Sequence, residues 1–351
     1  MKEVSSGQSL ATSGFKNDVS IAKAIGIILM VIGHAGCPHC LHDFIYMFHM
    51  PLFFFLAGYC FKNKYLDLPK TYVWRRIKGL YFPFVVIALF FLFLHNSFVK
   101  LNLIEGTYYN WLEMFNRSKS IIFSMHKEEA LIGGFWFIPQ LFWASLISFV
   151  FLKFVDKTVA LILLLILVPL LYYTHISIPY TAISWLTFYA AAFFMIGNIW
   201  AEWNFSNRWY YTLITLVIVI VASVLMPTGM FLTHGWMLFP YFLVAVFGCL
   251  FVMNISKFIA ETRTFITKAL IYIGSKTMWI LTLHLICFKL VTLLIIELKS
   301  DSIINLRVTP VFQEYSIDGG WMIYSIVGVL MPIFIYLFVT VFVKRLFPKE
   351  Q

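Results

Sequence analysis

Residues 18–59 read DVSIAKAIGIILMVIGHAG (18–36), CPHCLHD (37–43) and FIYMFHMPLFFFLAGY (44–59). Two apolar runs, each close to the roughly 20 residues that cross a bilayer, flank a short polar loop. Each run carries one histidine, His34 and His49, near the end that meets the loop. Ionisable groups inside apolar helices are costly and tend to mark a site. Two at similar depth on adjacent helices point to a shared one.

The rest of the chain has the same character. Of its 351 residues 61% are hydrophobic and 19% aromatic, with only 12% charged, and the mean hydropathy is +0.87. A soluble domain of this size carries about twice that charged fraction. The composition therefore predicts an all-α integral membrane protein. Apolar windows place about ten transmembrane helices, at 18–36, 44–61, 80–95, 131–152, 158–173, 182–200, 209–225, 236–254, 269–296 and 321–343. They form one polytopic membrane domain, 16–347, between a short polar tail, 1–15, and a C-terminal end, 348–351. The polar start lacks the short apolar segment of a removable signal peptide.

The net charge of +10 would suit a nucleic-acid binder, but its distribution excludes that reading. Of 26 Lys and Arg residues, 18 fall on one side of the predicted spans and 6 on the other. Lys276 and Lys289 lie within the ninth span. Positive charge marks the cytoplasmic side, so both termini are expected there (N-in/C-in). Between spans, Trp111, Met114 and Phe115 follow i, i+3, i+4 spacing, as in an interfacial helix.

Depth singles out three histidines as candidate catalytic groups. At about 1.5 Å per residue, His34 lies near the outward end of the first span. His49 and His284 fall in the outward halves of the second and ninth. A neutral imidazole is what a general base needs to take a proton from a hydroxyl. Each histidine alone also fits a helix-packing hydrogen bond.

On the cytoplasmic side, KNKYLDLPKTYVWRRIK (62–78) is expected as a basic loop. Its Arg75–Arg76 pair offers guanidinium forks suited to phosphate oxygens, besides anchoring topology. Asp18 and Lys23 mark the mouth of the first span. At the other side, Trp136 and Phe137 fit an interfacial aromatic belt and are the candidate substrate-binding side chains. Gly274 and Ser275 suit close helix packing. Cys37-Pro-His-Cys40 looks like a redox or zinc motif, but it lacks a βαβ setting and a ligand set. Incidental cysteines or one local disulfide are expected, and no metal.

Asp18, Lys23, Gly26 and His34, followed by FHMPLFFFLAGY (48–59) and the basic entry RRIKGLYFPF (75–84), resemble the membrane-bound acyltransferase 3 family, most closely its fucose 4-O-acetyltransferase-like branch. FWFIPQL (135–141) and IGSKTMWILTLH (273–284) are similar to its looser landmarks. The resemblance spans nearly the whole chain. It implies a bacterial inner-membrane enzyme using acetyl-CoA or another short acyl-CoA as cytoplasmic donor, with Asp18, Lys23, Arg75 and Arg76 on the donor side. It also implies a carbohydrate or glycolipid hydroxyl as outward acceptor, and His34 as the essential histidine of the first span. Where the wider family often has Arg, this chain has Lys23, a point charge rather than a fork. A transporter or flippase of a polysaccharide intermediate is the alternative. Against it, no Asp or Glu lies deep in any predicted span, where proton-driven pumps place carboxylates.

Overall fold

The computed structural model describes residues 4–203 and 208–346. The expected C-terminal end 348–351 lies outside the described residues, as do Lys2 and Lys349. The expected polar tail is helical from Val4 onward. No strand occurs among the described residues.

Helix α1 (Val4–His34) ends before Gly36, whose φ of 73° is left-handed and suits glycine. Two short helices follow, α2 (His39–Tyr46) and α3 (His49–Tyr59). α4 (Pro69–Arg76) begins with proline, which has no amide hydrogen of its own to leave unpaired in the first turn. It continues through a π-helical turn, Ile77–Tyr81, into α5 (Phe82–Lys100). α6 (Trp111–Ser124) is closed by a reciprocal Asn110–Glu113 capping box. A 3-10 segment, Ala130–Trp136, leads into α7 (Phe137–Phe154), followed by α8 (Lys157–Thr174). The remaining helices are α9 (Trp185–Glu202), α10 (Trp209–Leu225), α11 (Leu238–Thr262), α12 (Phe265–Ser275), α13 (Thr277–Lys299) and α14 (Gly320–Leu346).

Eight helical segments among the described residues are long and apolar enough to cross a membrane. Two expected crossings, 182–200 and 209–225, fall outside that set. They correspond to α9, of 18 residues, and α10, of 17. α9 is largely buried and packs against α3, α7 and α8. It faces protein rather than lipid, so it can carry Thr187 and Asn198.

Three local differences from the sequence reading matter for function. The run 44–61 is not one helix: Phe48, at φ −147°, interrupts it, and His49 opens α3. The run 269–296 breaks at Lys276 between α12 and α13. The basic stretch expected as a loop is helical from Pro69 to Arg76 and joins the third span, which becomes 32 residues long.

The centre of the fold is the crossing of α3 and α9. A Cβ at Gly58 would strike the carbonyl of Phe194, and one at Gly197 would strike that of Phe55. Each helix thus offers one glycine to the other's backbone, the small-residue contact that lets membrane helices approach closely. Gly274 of α12 meets the Ser20 carbonyl of α1 in the same way. These contacts fix α1, α3 and the α12–α13 break around one interior space.

Candidate functional site

On α1, Lys23, Ile27, Met30 and His34 recur at spacings of four, three and four residues, one face of a helix. All four line interior cavities. At the Lys23 end lies a cavity of about 360 Å³, walled by Lys23, Arg76, Cys60, Gly79, Phe137 and apolar side chains. A second, of about 430 Å³, holds His34, His49, Lys127 and Trp136. The two share Met30, Met50 and Leu281 as walls. Together they follow α1 from Lys23 to His34, about 16 Å at 1.5 Å per residue. A third cavity, of about 570 Å³, lies on the other side of His34 and Tyr46, beside His39, His42, Thr309 and Gln313.

The histidine geometry fixes proton positions. His284 Nδ1 lies 3.1 Å from the Ile280 carbonyl oxygen and 3.0 Å from that of Leu281. A carbonyl only accepts, so Nδ1 carries the hydrogen. In the neutral ring Nε2 is then a lone pair. His34 Nδ1 sits 3.0 Å from that Nε2 and must donate to it. The second nitrogen of His34, Nε2, is left as an unprotonated lone pair on a side chain that lines both outer cavities. The two rings stack, 5.3 Å apart at 25°. His284 is fully buried.

His49 obeys the same logic. Its Nδ1–H donates to the Ile45 carbonyl at 2.9 Å, near the C-terminus of α2, so its Nε2 is also a lone pair. Buried beside Tyr46, it lines the 430 Å³ cavity only. The break at Phe48 places it there.

The donor-side candidates separate. Arg76 lines the 360 Å³ cavity, stacks over Tyr72 at 4.9 Å, and has a buried Nε without a hydrogen-bond partner. Arg75 turns to the surface, where it hydrogen-bonds the Tyr65 hydroxyl. Adjacent helical residues point about 100° apart, and here only Arg76 faces the cavity. Lys23 lines the cavity, whereas Asp18 is buried, accepts from the Val19 amide at 2.7 Å, and lines none of the three. Trp136 and Phe137 part likewise. Trp136 lies in the 430 Å³ cavity and Phe137 in the 360 Å³ one, packed on Phe53 and Phe54.

Cys37 and Cys40 are both free thiols, and burial pushes the Cys37 thiol up to about 11. Among the described residues no three His, Cys, Asp or Glu side chains come together as a metal would require. The CPHC run instead forms part of the 570 Å³ cavity wall through Cys37 and His39.

Several lining residues were not singled out from sequence. Met30, Met50 and Leu281 read as ordinary apolar residues. Lys127 and the wall at 309–313 sit in connecting segments, which hydropathy cannot place. Tyr46, shared by two cavities, could have been found from its place one turn before His49.

A family model described as an acyltransferase domain, the third such family (Acyl_transf_3), matches residues 16–344. No curated protein and no solved structure matches the chain.

Proposed function

The chain belongs to the acyltransferase 3 family, a membrane acyltransferase family, and on that premise we propose that it is an O-acyltransferase acting across a bacterial inner membrane. The donor is a short acyl-CoA, acetyl-CoA foremost, presented at the Lys23 end, which faces the cytoplasm. The acceptor is a hydroxyl of a carbohydrate or glycolipid on the opposite side, as in the fucose 4-O-acetyltransferase-like branch. Both termini are cytoplasmic in this arrangement.

The observation that carries the reading is the alignment of two adjoining cavities with the His34 lone pair. Cations stand at one end, where Lys23 and Arg76 line the wall and the buried Arg76 Nε lacks a partner. A phosphate oxygen is the acceptor such a group calls for. The walls between are apolar, suited to an extended thioester arm. At the far end His34 Nε2 takes the hydroxyl proton as the oxygen attacks the thioester carbonyl. The new C–O bond forms, the C–S bond breaks, and His34 returns the proton to the departing thiolate. The products are an ester and a free thiol. His284 holds the base in the required tautomer and, through the Nδ1–H of His34, stabilises the transient imidazolium.

The test is mass spectrometry of the surface glycan in cells carrying the wild-type chain or His34→Ala at matched membrane levels. Acylation is expected with the wild type. Its loss by two to four orders of magnitude, roughly the span of one general base, is expected in the variant. Unchanged acylation in His34→Ala sinks the mechanism.

A further inference from the structure

Among the residues lining the 430 Å³ cavity, Lys127 alone bears a formal charge, and neither this cavity nor the 570 Å³ one beside it is lined by any Asp or Glu. The acids nearest to Lys127 in sequence are engaged elsewhere. Glu128 accepts from Arg117 Nη1 at 2.6 Å. Glu129 is bound through Oε2 to His95 Nδ1 at 2.9 Å. Lys127 makes no ion pair within 4.0 Å among the described residues. Burial draws its ammonium below the ordinary lysine range, and the Glu129 carboxylate opposes that shift without reaching it.

A half-buried ammonium that has given up water and gained no counter-ion is poised for an anion. The loop holds it there. His95 also donates its Nε2–H to the Thr107 carbonyl at 3.0 Å and stacks on Tyr109. This anchors the chain two residues beyond Lys127, just before the 3-10 segment that delivers Trp136 to the same cavity. The cavity is therefore lined by a cation, an indole and two imidazoles, Lys127, Trp136, His34 and His49. A neutral sugar can use the indole and the base, but it offers the ammonium only hydroxyl oxygens and no counter-charge.

We propose that the acceptor is an anionic saccharide, whose carboxylate or phosphate is held by Lys127 while its ring lies on Trp136 and its reacting hydroxyl reaches His34. The proposal rests on the O-acyltransferase reading and deepens it by naming the acceptor's charge. Lys127 is the specificity determinant: an anion there fixes the distance from charge to reacting hydroxyl, and a neutral sugar loses that constraint.

Binding is measured by titration calorimetry on the full chain in neutral-lipid nanodiscs, with probes paired to differ in charge. Methyl glucuronoside and methyl galacturonoside are set beside the methyl glucoside and galactoside, for a sugar carboxylate. Glucose 1-phosphate beside methyl glucoside tests a sugar phosphate. Geranyl-phosphate-linked glucose beside geranyl glucoside tests a phosphate carried with a lipid. In at least one series the anionic member is expected to bind about tenfold tighter or better, about the worth of one charge-assisted contact. The preference should vanish in Lys127→Met, persist in Lys127→Arg, and shrink with added salt. The series that shows it identifies the source of the anion. Equal affinities in every pair, no binding by either member of any pair, or a preference surviving Lys127→Met overturns the proposal. His34→Ala should keep the charge preference while losing acyl transfer. Transfer that persists with no charge preference would therefore remove this inference and leave the acyltransferase reading standing.

Discussion

Replacing His284 tests the paired-imidazole mechanism more sharply than replacing the base itself. His284 Nε2 is the acceptor for the Nδ1–H of His34, at 3.0 Å. Without it, nothing holds the His34 proton on Nδ1, and the tautomer with Nε2 protonated, which has no lone pair facing the substrate, becomes populated. The imidazolium formed during reaction also loses a hydrogen bond. A hydrogen bond to a charged group contributes about 1.5–3 kcal/mol, and about 1.4 kcal/mol is a factor of ten in rate. His284→Ala should therefore slow transfer roughly 10- to 100-fold, less than the loss expected for His34→Ala. His284→Gln offers a side-chain carbonyl to the same Nδ1–H and should recover part of the rate. Because His284 acts only through His34, the double variant should be no slower than His34→Ala alone. The assay is the initial rate of labelled acetyl incorporation from acetyl-CoA into host glycan by membrane vesicles, normalised to the protein present. Two results would refute the reasoning: a wild-type rate in His284→Ala, or losses that multiply in the double variant.

Other expectations follow from the packing. Arg76→Ala should raise the donor concentration for half-maximal rate about tenfold or more, since it removes one of the two cavity-lining cations, whereas Arg75→Ala should leave donor saturation near normal. A donor defect in Arg75→Ala alone would reverse that assignment. Gly58→Ala should destabilise the fold by about 1–3 kcal/mol or more through overpacking against the Phe194 carbonyl, while Gly79→Ala, with open space around its Cβ, should unfold at the wild-type temperature. Thermal unfolding in detergent compares them. Lys289→Met removes the donor to the Leu306 and Val308 carbonyls, at 2.8 and 2.6 Å, and should speed amide exchange across 303–311, whose last three residues line the 570 Å³ cavity, without moving exchange in α3. Topology is read by cysteine labelling: residues placed at Lys64 and Arg345 should react only from the cytoplasmic side.

Much of this was legible because it depends on helix periodicity alone. Composition decides membrane and helix, and the i, i+4, i+7, i+11 run from Lys23 to His34 puts both on one face of α1. Sequence also set three histidines at similar depth, although only the structure joins two of them. The breaks at Phe48 and Lys276 were not legible. Hydropathy averages over a window and cannot register a change in one residue's dihedral angles. Both breaks lie at tertiary contacts, Gly274 seated on the Ser20 carbonyl and Gly248 against the Phe48 side chain. Lys127 was hidden for a related reason, since a connecting segment has no period from which to place a side chain. The split between Arg75 and Arg76 was not legible either: neighbours about 100° apart on a helix can still line one cavity, as Leu56 and Ala57 do.

The choice of partner for His34 also has a physical reason. Bases of this type are often oriented by a carboxylate, which fixes the tautomer and stabilises the imidazolium. In an apolar bundle an ionised carboxylate would be a buried charge with a desolvation cost of several kcal/mol, uncompensated whenever the base is neutral. A second imidazole accepts the same hydrogen bond with no charge in the resting state. His284 can do so because its own Nδ1–H is taken up by the Ile280 and Leu281 carbonyls of the preceding turn, so the helix itself supplies the fixed acceptor at the end of the chain. The arrangement gives less imidazolium stabilisation than a carboxylate would, in return for a resting site with no buried charge at the base. It also places the burden of charge recognition elsewhere, on Lys127, the one charged side chain that lines the His34–His49 cavity.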